Sequence, residues 1–288
     1  VRAYFSILAL VTYTAFASDG IYGTDDRTEV HQAKTSLESK LADSTVAIVE
    51  SANLKKNNDS SFSLKTDTFG SRFGLCKNEN FYNQPVGSSA SAALVGPDLI
   101  LTAAHTITDT EDCLSKKIVF GFSATSDGGF RTTFPAEDVA QCKEILVRDE
   151  QNDFLIFRLD RKILNHEPLS VNRAAAPQVG DPLIAIGHPS GLPMKLSPGR
   201  VLMITPTAII TDTDTYGGNS GSPIFNSTTG LIEGVLSRGG TDFINNRNNG
   251  CVSSVVVKKV KCKKGYCYGG ETAVPSSLFE KHIPELTR

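Results

Sequence analysis

The chain has 288 residues, 40% of them hydrophobic and 21% charged, with 31 acidic against 29 basic side chains and a formal net charge of −2. That composition is ordinary for a globular protein and does not suggest disorder, and the charge balance gives no electrostatic ground for nucleic acid or an anionic membrane as partner. The length suffices for one large domain or two small ones with a substantial core. At the N-terminus, Arg2, the apolar stretch from Ala3 to Phe16 and the small-x-small pattern Ala15-Phe16-Ala17 predict an export leader over residues 1–17. That run is shorter than the roughly 20 apolar residues a membrane-spanning helix needs, so no membrane anchor is expected. Residues 18–42 read as an N-terminal segment or short propeptide. Within it, Ala33, Leu37 and Leu41 at spacing four predict a short amphipathic helix over 31–43.

Next come short runs rich in β-branched and aromatic residues, broken by turn residues. Six are predicted at 45–49, 91–95, 99–102, 118–122, 144–147 and 154–159, and six more at 182–187, 200–204, 208–211, 223–225, 231–237 and 252–260. Gly96-Pro97-Asp98 and Asn226 to Gly230 read as hairpin turns, and 55–61 and 241–250 as exposed loops. A Pro- and Asn-containing stretch at 161–180 separates the two sets. Many short strands with regular breaks argue for barrels or sandwiches over βαβ units. The expectation is an all-β chain of two six-stranded antiparallel β-barrels, residues 43–168 and 169–288. A C-terminal helix over 275–286 follows, with Ser277 and Glu280 as its capping box.

Three segments carry residues suited to nucleophilic chemistry. Residues 217–223 read Gly-Gly-Asn-Ser-Gly-Ser-Pro and set Ser220 in a glycine-rich turn, where backbone can approach a substrate closely. Residues 99–107, Leu-Ile-Leu-Thr-Ala-Ala-His-Thr-Ile, end an apolar run with His105, and residues 152–159 place Asp153 just before another. A serine needs a base to take its proton and an acid to orient that base, and here each candidate stands at a strand edge. His188, between Gly187 and Pro189, reads as structural.

The order His, Asp, Ser and these flanking blocks resemble a trypsin-like serine peptidase of the chymotrypsin fold. The Thr-Ala-Ala-His and Gly-Asn-Ser-Gly-Ser-Pro blocks are similar to the bacterial branch that includes the glutamyl endopeptidases. The resemblance extends over about residues 43–288, and Ile21 to Arg27 looks like the stretch near that branch's mature start. It implies His105 as base, Asp153 as orienting acid, Ser220 as nucleophile, and the backbone N–H groups of Gly218 and Ser220 as the oxyanion hole. Asp214, six residues before Ser220, stands where such enzymes set an acid at the floor of the specificity pocket. Ser237-Arg238-Gly239 resembles the strand that binds substrate backbone, which makes Ser237 and Gly239 substrate-binding candidates. Asn219 departs from the Asp that pairs with a new N-terminus in trypsin-like zymogens. Leu236 stands where glutamyl enzymes tend to carry a pocket histidine.

Six cysteines at 76, 113, 142, 251, 262 and 267 fit export, as up to three disulfides with 15 possible pairings. Thr106 and Ala90 occupy the places of the family's usual cysteine pair beside the histidine. Cys262 and Cys267 lack the spacing of a zinc site, and neither metal nor cofactor is expected. The reading is a secreted, monomeric serine endopeptidase acting on protein or peptide substrates. The alternative is a catalytically inactive, protease-like exported binding module.

Overall fold

The structure, a computed structural model, describes residues 20–246, 250–263 and 266–286; the leader expected over 1–17 lies outside them. Twelve strands build two closed six-stranded antiparallel barrels. The first comprises β1 Thr45–Glu50, β2 Ala90–Gly96, β3 Leu99–Thr102, β4 Lys116–Phe120, β5 Val139–Asp149 and β6 Phe154–Leu159. The second comprises β7 Pro182–Gly187, β8 Lys195–Thr205, β9 Ala208–Thr211, β10 Pro223–Asn226, β11 Ile232–Arg238 and β12 Glu271–Pro275. Round the first barrel the order is β1-β2-β3-β6-β5-β4, and round the second β7-β8-β9-β12-β11-β10. The two halves therefore share one winding, although no sequence repeat announces it.

Successive residues of a strand face opposite ways, and here both faces are buried. In β6, Leu155 and Phe157 point into the first barrel, while Phe154 and Ile156 join the cluster between the barrels with Ile184, Ile186, Phe225, Val235 and Phe279. Burial on both faces is why such strands read as unbroken apolar runs. The second barrel closes over Leu183, Val201, Ile209, Ile224 and Ala273.

Three expectations need correction. The run at 252–260 is not the last barrel strand. Cys251–Ser254 pairs with Phe243–Asn246, and Val256–Val257 pairs with Ile21–Tyr22, so that apolar run splits between two short ladders at the barrel's edge. The C-terminal helix is one turn, Ser276–Phe279, followed by a 3-10 turn, and Pro275 rather than a capping serine starts it, so the Ser277–Glu280 box does not form. The exposed loops expected at 55–61 and 241–250 are shorter than predicted: Lys55 and Lys56 belong to the strand Leu54–Lys56, which pairs with Phe62–Leu64, and the second stretch carries the strand Phe243–Asn246. The amphipathic helix predicted over 31–43 is α1, Ser36–Asp43, closed by a capping box between Thr35 and Glu38.

The N-terminal segment is built into the second barrel. Thr28–Glu29 pairs with β8, and Ile21 is buried. The Arg27 guanidinium carbon sits 4.0 Å from the centre of the Tyr216 ring, and the side chain holds Asp25 through two contacts of 2.8 Å. The fully buried Lys195 ammonium donates to Glu29 at 2.9 Å, Gln84 at 2.8 Å and the Pro193 carbonyl at 2.9 Å. Burial pushes its pKa down to about 8 against the pull of Glu29, so it is charged at neutral pH. The cysteines pair as Cys76–Cys251, Cys113–Cys142 and Cys262–Cys267.

Lys195→Met leaves the Glu29 carboxylate without its cation, and breaking a buried pair from one side costs about 3–5 kcal/mol. Urea unfolding at pH 7 is expected to show that loss.

Candidate active site

β3 runs out at Thr102 into a 3-10 turn, Ala104–Thr106, that carries His105, and Asp153 stands immediately before β6. The register sets Leu155 opposite Thr102, so both residues leave the first barrel at the same end. Asp153 has φ +59°, an uncommon left-handed conformation for a residue with a side chain. The turn leading to it is shaped by Asn152, whose backbone and side-chain N–H groups donate to Asp149 at 2.9 and 2.7 Å.

Ser220 comes from the turn ahead of β10. Gly221 has φ +84°, and a Cβ there would lie 1.9 Å from the Thr102 hydroxyl and 2.2 Å from the Ser91 carbonyl oxygen. Glycine is therefore what lets this turn touch the first barrel. Ser91 clamps it there: its backbone N–H donates to the Ser220 carbonyl at 3.0 Å and its hydroxyl to the Gly218 carbonyl at 2.9 Å. The same hydroxyl accepts the His188 N–H at 2.9 Å.

Across the seam, His105 Nε2 stands 2.7 Å from Ser220 Oγ, and Nδ1 stands 2.9 and 3.0 Å from the Asp153 oxygens. Asp153 also accepts the His105 backbone N–H at 3.0 Å and a hydrogen bond from the Ser237 hydroxyl. Burial alone would raise the Asp153 pKa, but the bonds from His105 and Ser237 outweigh it and hold the carboxyl below its usual range. A neutral imidazole between an ionised carboxylate and a hydroxyl can take the hydroxyl proton while keeping its tautomer fixed.

The Gly217 carbonyl accepts the Ser190 N–H at 2.5 Å, and no described peptide is cis. In a trans peptide the N–H lies opposite the carbonyl, so the Gly218 N–H faces away from residues 188–191. Ser190 holds this contact with φ +52°. His188 is buried, stacked on Phe122 at 5.6 Å, with Nδ1 3.0 Å from the Leu192 carbonyl oxygen. Burial pushes its pKa to about 4, which matches a neutral, structural imidazole.

Beside Ser220 lies a narrow pocket walled by Leu236, Ser237, Gly239, Asp242 and Glu271. Asp214 is not in its lining. Its two oxygens accept the backbone N–H groups of Tyr22 at 2.7 Å and Asp26 at 3.2 Å. The expectation that Asp214 floors the pocket is thus corrected: the N-terminal segment captures it, and burial pushes its pKa up to about 7. Gly239 does line the pocket, as does Ser237, whose hydroxyl turns to Asp153. Asn219 accepts from the Ser222 hydroxyl at 3.1 Å.

Sequence reasoning missed Glu271, Asp242 and Ser91. Glu271 opens β12, is 1% exposed, and accepts the Tyr22 hydroxyl at 2.8 Å. Burial pushes its pKa up to about 8, repulsion from Asp242 and Asp214 adds to this, and the Thr215 and Tyr22 hydroxyls oppose it. Asp242 accepts the Gly217 N–H at 2.7 Å and is pushed up to about 6, again by burial.

Comparison with known proteins gives the family. The model of the trypsin-like peptidase domain matches residues 90–235, about half of the chain, and the chain belongs to that family. Glutamyl endopeptidases of Staphylococcus aureus strains MRSA252 and MW2 are each 26% identical over 152 residues, 50% of this chain and 41% and 45% of theirs. The match thus spans less than half the length of those relatives. A solved serine endoprotease from Yersinia pestis aligns with a TM-score of 0.48 and 16% identity, covering 87% of this chain and 66% of that one.

Two outcomes follow. Ser91→Ala strips the Gly218 carbonyl and the His188 N–H of partners; urea unfolding is expected to show a loss of about 1–3 kcal/mol. Folded Glu271 keeps its proton up to about pH 8, whereas its ordinary value is 4.5, so over that window a rising pH favours the unfolded chain. Glu271→Gln removes this penalty, and its thermal stability relative to the parent is expected to improve between pH 5 and pH 8.

Proposed function

We propose that the protein is a secreted serine endopeptidase that cuts peptide bonds through His105, Asp153 and Ser220 by way of an acyl-enzyme. One observation carries this reading: carboxylate, imidazole and hydroxyl stand in an unbroken row, 2.9 and 2.7 Å apart, at the seam of the two barrels. Ser220 Oγ attacks the carbonyl carbon while its proton passes to His105 Nε2. Asp153 stays ionised and holds the imidazolium. The Gly218 and Ser220 N–H groups receive the negative oxygen. The C–N bond breaks as His105 gives the proton to the leaving amine, and an ester remains on Ser220. Water then attacks that ester, its proton moves to His105 and on to Ser220 Oγ, and the carboxylic acid departs.

Further features support the reading. A groove of about 420 Å³ runs past Gly217 and Gly218 between Ser88 and Phe243, room for the chain beyond the cut bond. Three disulfides suit an oxidising compartment, and among the described residues no helix is long and apolar enough to cross a membrane. Residues 20–42 work as part of the folded domain, as the Lys195 contacts imply. The preference in the relatives' name, glutamyl endopeptidase, does not carry over, because the Asp242 carboxylate in the lining opposes an acidic side chain.

A fluorophosphonate probe is expected to label the protein at Ser220, read by peptide mass spectrometry. Turnover of a peptide substrate is expected to fall by about 10⁴–10⁶ in Ser220→Ala. Parent-like turnover in that variant would refute the proposal, and an unlabelled, inactive parent would leave a binding module in its place.

A further inference from the structure

We propose that Asp242 is a positioning residue for the oxyanion hole: it grips the Gly217 N–H and so keeps the next peptide turned with its Gly218 N–H toward the reacting carbonyl. This rests on the peptidase reading of Ser220 and adds a residue outside the row of three. The first observation is the bond itself. The Asp242 carboxylate accepts the Gly217 N–H at 2.7 Å, and a Cβ built on Gly217 would stand 3.3 Å from the same oxygen. The carboxylate therefore lies close against this residue's backbone.

The second observation is what grips the neighbouring groups. The Gly217 carbonyl takes the Ser190 N–H at 2.5 Å, and the Gly218 carbonyl takes the Ser91 hydroxyl at 2.9 Å. The peptide plane before Gly217 is thus held by Asp242, and the plane after it by Ser190. Such holds matter because two successive glycines have an unusually free backbone. Rotating the peptide between them would set the Gly217 carbonyl where the Gly218 N–H belongs, and an oxygen there repels a developing oxyanion.

Asp242 is itself well anchored. Its carbonyl accepts the Val255 N–H at 2.8 Å, and the strand after it, Phe243–Asn246, pairs with Cys251–Ser254. The Cys76–Cys251 bridge ties that ladder down. Phe243 packs on Tyr216 at 4.8 Å and on Phe69 at 6.0 Å between ring centres. An acceptor on a rigid support fixes a peptide, whereas one on a loose loop would follow it. Burial pushes the Asp242 pKa up to about 6, against the Gly217 bond and the charge of Arg27. It is mostly ionised at neutral pH, and the bond is charge-assisted. Asp242 also lines both the pocket beside Ser220 and the groove past Gly218, so the competing role is to hold substrate, and KM separates the two.

Kinetics on a peptide amide that the parent cuts test this. In Asp242→Ala, kcat is expected to fall about tenfold to a hundredfold, while KM stays within about twofold. Asp242→Asn keeps a carbonyl oxygen for Gly217 and is expected to bring kcat back to within about fivefold of the parent. A fluorophosphonate, whose phosphoryl oxygen enters the same hole, is expected to label Asp242→Ala more slowly by a similar factor. The His105 ring protons, followed by NMR against pH, are expected to titrate in Asp242→Ala as in the parent. Asp242→Ser, whose hydroxyl is one bond shorter in reach, replaces the alanine variant if that one does not fold. Parent-like kcat in the alanine variant, an asparagine variant as slow as the alanine one, a raised KM at unchanged kcat, or a shifted His105 titration overturns the positioning role and leaves the peptidase reading standing. An inactive parent that the probe does not label overturns that reading, and the role of Asp242 falls with it.

Discussion

The site depends on Ser91, a small side chain on a first-barrel strand that holds a second-barrel turn by its backbone. Two carbonyl oxygens of the turn, those of Gly218 and Ser220, end on this one residue, and its own carbonyl takes the Thr102 hydroxyl at 2.8 Å. Thr102 ends the strand that leads to His105. His105 and Ser220 are therefore registered against each other through about two residues, although they are 115 positions apart in sequence. Backbone hydrogen bonds tolerate only a few tenths of an ångström of slip, which is the precision a proton transfer between Oγ and Nε2 requires.

The second barrel has a different problem, an excess of buried acid. Asp214, Asp242 and Glu271 crowd one end of it, and burial raises the pKa of each. The N-terminal segment answers part of this with donors: the Tyr22 and Asp26 N–H groups to Asp214, and the Tyr22 hydroxyl to Glu271. What it leaves unanswered is Glu271 Oε2, buried without a hydrogen-bond partner.

The first barrel was legible strand by strand, because its runs are apolar on both faces and Gly96-Pro97-Asp98 marks a real hairpin. The three residues of the row were legible too, since each sits in a short block with a distinctive neighbourhood. The second barrel's last strand was not. Glu271 to Pro275 opens on a charge and closes on a proline, which reads as a boundary, while the valine-rich run at 252–260 imitates a strand and is spent on edge ladders. Asp214 misled for a related reason. An offset from Ser220 fixes where the backbone is, but what its carboxylate meets depends on a segment nearly two hundred residues earlier. Ser91 lay at the start of a predicted strand with nothing local to mark it.

The Cys76–Cys251 bridge joins the two halves across 175 positions, and all three residues of the row lie inside the covalent ring it closes. A single backbone nick in a surface loop of that ring, such as the hairpin at Asn226 to Gly230, leaves two pieces still tethered. Under attack by any protease, that arrangement turns a cut from dissociation into a local scar.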